Sequence, residues 1–117
     1  MTFYDRNGRP QFYSDDNQHF FDFNGNPLGY LYNDSIYNFN GSHLGWLDSG
    51  WIIDPNGYRF CFNEDASGGP MKPMKSMKPM KGMKSMKPMK GMKEMRPMKP
   101  MKSSSWSDMN VSDFFRN

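Results

Sequence analysis

Cysteine is nearly absent from this chain: Cys61 is the only one in 117 residues. An intramolecular disulfide is therefore excluded, and so is a zinc site of the usual multi-cysteine kind. Long apolar runs are missing as well. Nothing approaches the roughly 18 consecutive apolar residues that a membrane-spanning helix needs. No basic segment followed by an apolar run opens the sequence, so the expected setting is cytoplasmic. Basic residues are scarce in the first 70 positions, where Arg6, Arg9 and Arg59 stand against nine acids, a balance of −6. Residues 71–102 reverse this, with ten Lys plus Arg96 against Glu94, or +10, and the last fifteen residues contribute −1. The net charge of +3 is a sum of opposed parts.

Tight-turn chemistry is abundant. In Asp54-Pro55-Asn56-Gly57 each residue suits one place of a type I turn closed by a glycine bulge. Asp is favoured first, Pro presets φ at the second place, Asn tolerates the third, and Gly supplies the positive φ. Three more copies precede it: Asp5-Arg6-Asn7-Gly8, Asp22-Phe23-Asn24-Gly25 and Asn38-Phe39-Asn40-Gly41. The four glycines, Gly8, Gly25, Gly41 and Gly57, are 17, 16 and 16 residues apart.

Aligned on those glycines, the copies form columns. Five residues before Gly stand Phe3, Phe20, Ile36 and Ile52, and four before stand Tyr4, Phe21, Tyr37 and Ile53. Three after come Gln11, Leu28, Leu44 and Phe60, and five after come Tyr13, Tyr30, Trp46 and Phe62. Between these lie Phe12, Gly29, Gly45 and Cys61. Strand alternation puts positions +3 and +5 on one face and turns the mostly small +4 residues the other way, where close neighbours are expected. Each unit reads as a hairpin, and Ser14-Asp15-Asp16-Asn17, Asn33-Asp34 and Asp48-Ser49-Gly50 link the units. Isolated hairpins are marginal in water, so the four copies must bury their aromatic columns together. The predicted fold is all-β, with four hairpin repeats of 16–17 residues in a compact pseudo-fourfold ring or short barrel over residues 1–66. An open stack of hairpins is the alternative.

No enzyme constellation emerges from the columns. Asp-x-Asn-Gly resembles part of a calcium loop, but an EF-hand has Gly at its sixth place and a bidentate Glu at the twelfth. His19 and His43 occupy different columns, −6 and +2, with no Cys or third His in register, which reads as strand-end histidines rather than a catalytic or metal site. Cys61 sits in a column of small residues and reads as a buried packing residue. The expectation is therefore no catalytic residue, no metal and no cofactor. Short aromatic hairpins such as Gly50-Trp51-Ile52-Ile53-Asp54 followed by Tyr58-Arg59-Phe60 also look like cell-wall-binding repeats that hold choline or glycans between aromatic faces, which defines an alternative function.

After the flexible exit expected at 67–70, residues 71–102 are a strict triplet of Met, a cation and a variable residue. Prolines at 73, 79, 88, 97 and 100 exclude an α-helix. A polyproline II helix turns every three residues, so the pattern predicts an extended arm with all methionines on one edge and all cations on another, reaching roughly 100 Å. The cations are Lys72, Lys75, Lys78, Lys81, Lys84, Lys87, Lys90, Lys93, Arg96, Lys99 and Lys102. They fit phosphate-bearing partners, either nucleic acid or an anionic membrane surface, or the acidic residues of the chain's own domain. In residues 103–117, Ser107 suits a helix cap with Trp106 and Val111 at the staple positions, and Trp106, Phe114 and Phe115 form an expected docking hook.

Together the four turn-centred repeats, the Gly68-Gly69-Pro70 exit, the Lys-bearing triplets and the run from Ser104-Ser105-Trp106-Ser107 to Phe114-Phe115 resemble the bacterial 4-fold β-flower proteins over essentially the whole chain. That resemblance implies a small fourfold β domain and brings no established activity. It also implies Val at many triplet positions where this chain carries Met. The function expected from the sequence is a non-enzymatic interaction scaffold: an acidic repeat domain bearing a cationic arm.

Overall fold

The computed structural model describes residues 1–116. Eight short strands run in chain order: β1 (Thr2–Tyr4), β2 (Pro10–Tyr13), β3 (His19–Asp22), β4 (Pro27–Tyr32), β5 (Ser35–Tyr37), β6 (His43–Asp48), β7 (Trp51–Ile53) and β8 (Arg59–Phe62). Each pairs antiparallel with the next, and β8 returns to β1 through Tyr4 and Phe62, closing the barrel. The ring or barrel expected from the repeats is the observed one, and the open stack is not. A barrel removes the unpaired edges that four isolated hairpins would expose.

The four turns are built alike. The Asp5, Asp22 and Asp54 carboxylates and the Asn38 amide oxygen each accept from the backbone N–H groups two and four residues ahead, at 2.9–3.1 Å. The N–H of each turn glycine donates to the carbonyl three residues back, at 2.9–3.1 Å, and the glycines have φ between 78° and 96°.

One expectation about the columns is overturned. The register slips between Phe3 and Tyr4, Phe20 and Phe21, Ile36 and Tyr37, and Ile52 and Ile53, so each hairpin carries a bulge on its second strand. Simple alternation therefore fails at +3: the extra residue turns Leu44 and Phe60 into the same buried cluster as the +4 residues Phe12 and Cys61, while the +5 residues face outward. The barrel interior holds the −5 column, Phe12 and Cys61. Outside it lies a second layer of Tyr4, Tyr13, Phe21, Tyr30, Tyr37, Trp46, Ile53 and Phe62, all buried.

The +4 glycines are small because a helix fills the space above them. Helix α1 (Val111–Phe115) seats Phe114 and Phe115 inside the barrel. A Cβ on Gly45 would meet the Phe114 ring and the Ile53 carbonyl, and one on Gly29 would meet the Phe115 ring and the Tyr37 carbonyl. Two repeats thus fill their share of the core from within, with Phe12 and Cys61, and two receive it from the distant end of the chain. The helix starts later than the sequence suggested. Asn110 caps it, accepting from the Asp113 N–H at 2.8 Å, whereas Ser107 donates to Asp54 Oδ2 at 2.6 Å. Asp54 is buried and already spends Oδ1 on its turn, so its other oxygen requires a partner, and that demand draws Ser107 away from capping.

Packing also runs across the compositional break at 67–70. Gly69 lies against the Trp51 ring and Arg59, and the Trp51 indole N–H donates to the Ser67 and Gly68 carbonyls at 3.1 and 3.2 Å.

Candidate functional surface: a belt around the barrel

From residue 67 the chain circles the barrel a second time. It passes the four turns in sequence order with a step of nine residues: the N–H groups of Ser76, Ser85, Glu94 and Ser103 donate to the carbonyls of Gly8, Gly25, Gly41 and Gly57 at 2.8–2.9 Å. Gly82 and Gly91 add bonds to the Phe23 and Phe39 carbonyls at 2.7 Å each. The residues in the same phase at the other two turns are Pro73 and Pro100, which have no N–H to give. The close pass has a steric requirement. A Cβ on any turn glycine would strike the carbonyl of Met74, Met83, Met92 or Met101. These positions need glycine for the left-handed turn and again for the belt. With the belt included the molecule measures 37 × 37 × 21 Å, a girth of the order that an extended arm of roughly 100 Å can span.

Side chains along the belt sort by triplet place. The eleven methionines point outward, each 92–94% exposed. The cations lean onto the barrel. Lys81 and Lys84 share the Asp15 carboxylate at 2.9 and 2.8 Å, Lys99 and Lys102 share Asp48 at 2.5 and 3.2 Å, and Lys78 lies 3.4 Å from Glu64. Lys75 lies over the Tyr4 ring, Lys81 over Tyr13, Lys90 over Tyr30 and Lys93 over Tyr32, with Nζ 4.4–5.8 Å from the ring centroids. Lys72 donates to the Ala66 carbonyl at 2.5 Å. Of the eleven belt cations, only Lys87 and Arg96 have no hydrogen-bond, ion-pair or ring partner among the described residues. The carboxylates register the arrangement. Hydrogen bonds from Lys99 and then Lys102 hold Asp48 down to about 2 against the desolvation that opposes them, and those from Lys84 and Lys81 lower Asp15.

The belt begins and ends at one buckle. Its first residues lie on Trp51 and Arg59, and after a full circuit Arg59 receives it again: the Arg59 N–H donates to the Ser105 carbonyl at 3.0 Å, its Nε to the Ser103 carbonyl at 3.1 Å, and its own carbonyl accepts from Ser107 at 2.8 Å. Trp106 then packs on Trp51 and Phe62. The three residues expected to make one hook are thus divided, with Trp106 fastening the belt outside and Phe114 and Phe115 filling the barrel. The buckle residues carry a signal in the sequence. Trp51 stands in a column otherwise holding Thr2, His19 and Ser35, and Arg59 in one holding Pro10, Pro27 and His43, so the fourth repeat departs from the others where the belt attaches. The nine-residue phase, with proline at 79, 88 and 97, was likewise present in the triplets.

A family model for the 4-fold beta flower protein matches residues 1–115, nearly the full chain. The chain belongs to that family. No curated protein and no solved structure matches it.

Among the described residues, the rest of the beta flower surface offers little concave chemistry. A cavity of about 200 Å³ lies between the first turn and the C-terminal segment, lined by Asp5, Arg6, Gln11, Phe60, Asp108 and Asn110 among others. That is below the roughly 300 Å³ at which small-molecule pockets begin. His43 Nε2 stands 3.1 Å from Ser35 Oγ, a separation suited to a base and a nucleophile, but Ser35 is fully buried beneath it. Burial pushes the Cys61 thiol well up, away from the reactive thiolate. Among the described residues no group of His, Cys, Asp and Glu is placed to hold a metal, and no helix is long and apolar enough to cross a membrane.

Proposed function

We propose that this beta flower protein is a non-enzymatic interaction scaffold whose cationic arm is committed to its own acidic, aromatic barrel, leaving the methionine rim as the surface it offers outward. The observation that carries this reading is the partition along the belt: nine of the eleven cations touch the barrel or the belt's own root, and every triplet methionine points to solvent. An arm poised for external phosphates would keep its ammonium groups outward. The same partition weighs against the choline-like alternative, because the aromatic faces that would receive a quaternary ammonium already lie beneath Lys75, Lys81, Lys84 and Lys90.

Binding and melting measured together test the proposal. Full-length protein is expected to bind single-stranded DNA and anionic vesicles weakly even at low salt, and Lys→Gln at 81, 84, 99 and 102 is expected to lower the melting temperature. Tight binding that collapses with salt, lost in the Gln variant with no change in melting, would instead assign the cations to an external anionic partner. Strong stabilisation by choline or a glycan in a thermal-shift screen would restore the ligand-binding reading.

A further inference from the structure

The thirteen methionines fall into two environments. Met1 and Met109 pack partly buried against the barrel core, whereas the other eleven are 92–94% exposed. A side chain so exposed adds nothing to stability through burial. The belt is held by its backbone hydrogen bonds and lysines, and no thioether takes part in them. Packing therefore does not account for the sulfur, and neither does spacing, which any polar residue would serve. What a thioether has that a lysine, leucine or glutamine lacks is an oxidisable sulfur, with reversible chemistry.

We propose that the belt is a modification site: its eleven methionine sulfurs form a rim that takes up two-electron oxidants of the peroxide class as methionine sulfoxide while the barrel stays folded. In each step a sulfur lone pair attacks one oxygen of hydrogen peroxide and the O–O bond breaks. The sulfur is oxidised by two electrons to the sulfoxide, and the peroxide is reduced, its second oxygen leaving as water after proton transfer. The remaining sulfurs are shielded. Cys61 is fully buried, and Met1 and Met109 are partly covered by the core. Sulfoxide formation changes an apolar rim into a polar, hydrogen-bond-accepting one. It therefore resets the outward surface without touching a residue that holds the fold, and needs no binding partner to do so.

Full-length protein titrated with hydrogen peroxide, followed by intact and top-down mass spectrometry beside thermal melts, decides the matter. The expected result is a ladder approaching eleven added oxygens, all on triplet methionines, at the rate of free methionine and with an unchanged melting temperature. Methionine sulfoxide reductases should then return the original mass. A variant with all eleven changed to Leu should melt as the parent does and take up almost no oxygen over the same period. The proposal is overturned if Met1, Met109 or Cys61 is oxidised first, if melting falls in step with each added oxygen, or if the Leu variant fails to fold, since each outcome gives the rim sulfurs a structural role or denies them the oxidant.

Discussion

Trp106 meets Trp51 edge-on, their ring centroids 5.3 Å apart, although 55 positions separate them and the belt's whole circuit lies between. Trp51 also holds the start of that circuit through its indole N–H. One side chain therefore fixes both ends of the belt beside the seam where β1 meets β8, the place at which the barrel closes through a single residue pair. A belt fastened at both ends resists peeling from either. Trp106→Ala should cost roughly 1–3 kcal/mol, the range for losing a partly buried aromatic contact. Trypsin should then cut the belt lysines faster while the barrel repeats resist longest; unchanged proteolysis would deny the buckle its role.

The same logic applies inside the barrel. Phe114→Ala removes a ring stacked 4.5 Å from Phe60 and should destabilise by about 3–5 kcal/mol, as expected when a large core side chain leaves a cavity. Gly45→Ala attacks the same contact from the other side and should also lower the melting temperature, because its Cβ collides with the Phe114 ring and the Ile53 carbonyl. In the double variant the ring clash disappears and only the carbonyl clash remains, so the losses should be less than additive by melting.

Turn glycines should be far less tolerant than the glycine at the belt's root. Gly57 has φ of 93° with the Met101 carbonyl packed against it, and Gly68 has φ of 71° with open space around it. Valine at either position resists the left-handed backbone, but only at 57 must the belt also be displaced. Gly57→Val should therefore show the larger drop in melting temperature, and equal drops would remove the double requirement.

Acid should loosen the belt. Asp48 lies at about 2 in the folded protein against an ordinary value of 3.8, so the folded state binds its proton less readily than the unfolded chain. The stability from this site is present above the ordinary value and is lost as pH falls toward about 2, with Asp15 contributing in the same direction. Melts between pH 6 and pH 2 should show a decline across the acid end of that range, and Asp48→Asn should make it shallower. Exposed pairs give modest effects, and added salt should reduce them further.

Much of this architecture is local and could be read from the chain. Turn identity depends on φ preferences within four residues, and three Asp-x-Asn-Gly turns with one Asn-x-Asn-Gly turn mark four hairpins and their period. Column alignment likewise found the aromatic content, and the triplets found the separation of methionines from cations. The bulge was less visible, because counting alternate residues assumes a regular ladder, and only pairing reveals that two residues face one at each second strand. Where the belt goes was decided by tertiary structure alone. Its nine-residue step has meaning only beside a barrel with four turns at matching distances, and Phe114 and Phe115 can be assigned to the core only once Gly29 and Gly45 are seen to leave room for them. Short-range backbone preference determined the repeats; long-range packing, which joins residue 45 to residue 114 and residue 51 to residue 106, decided that the arm is a fastened girdle.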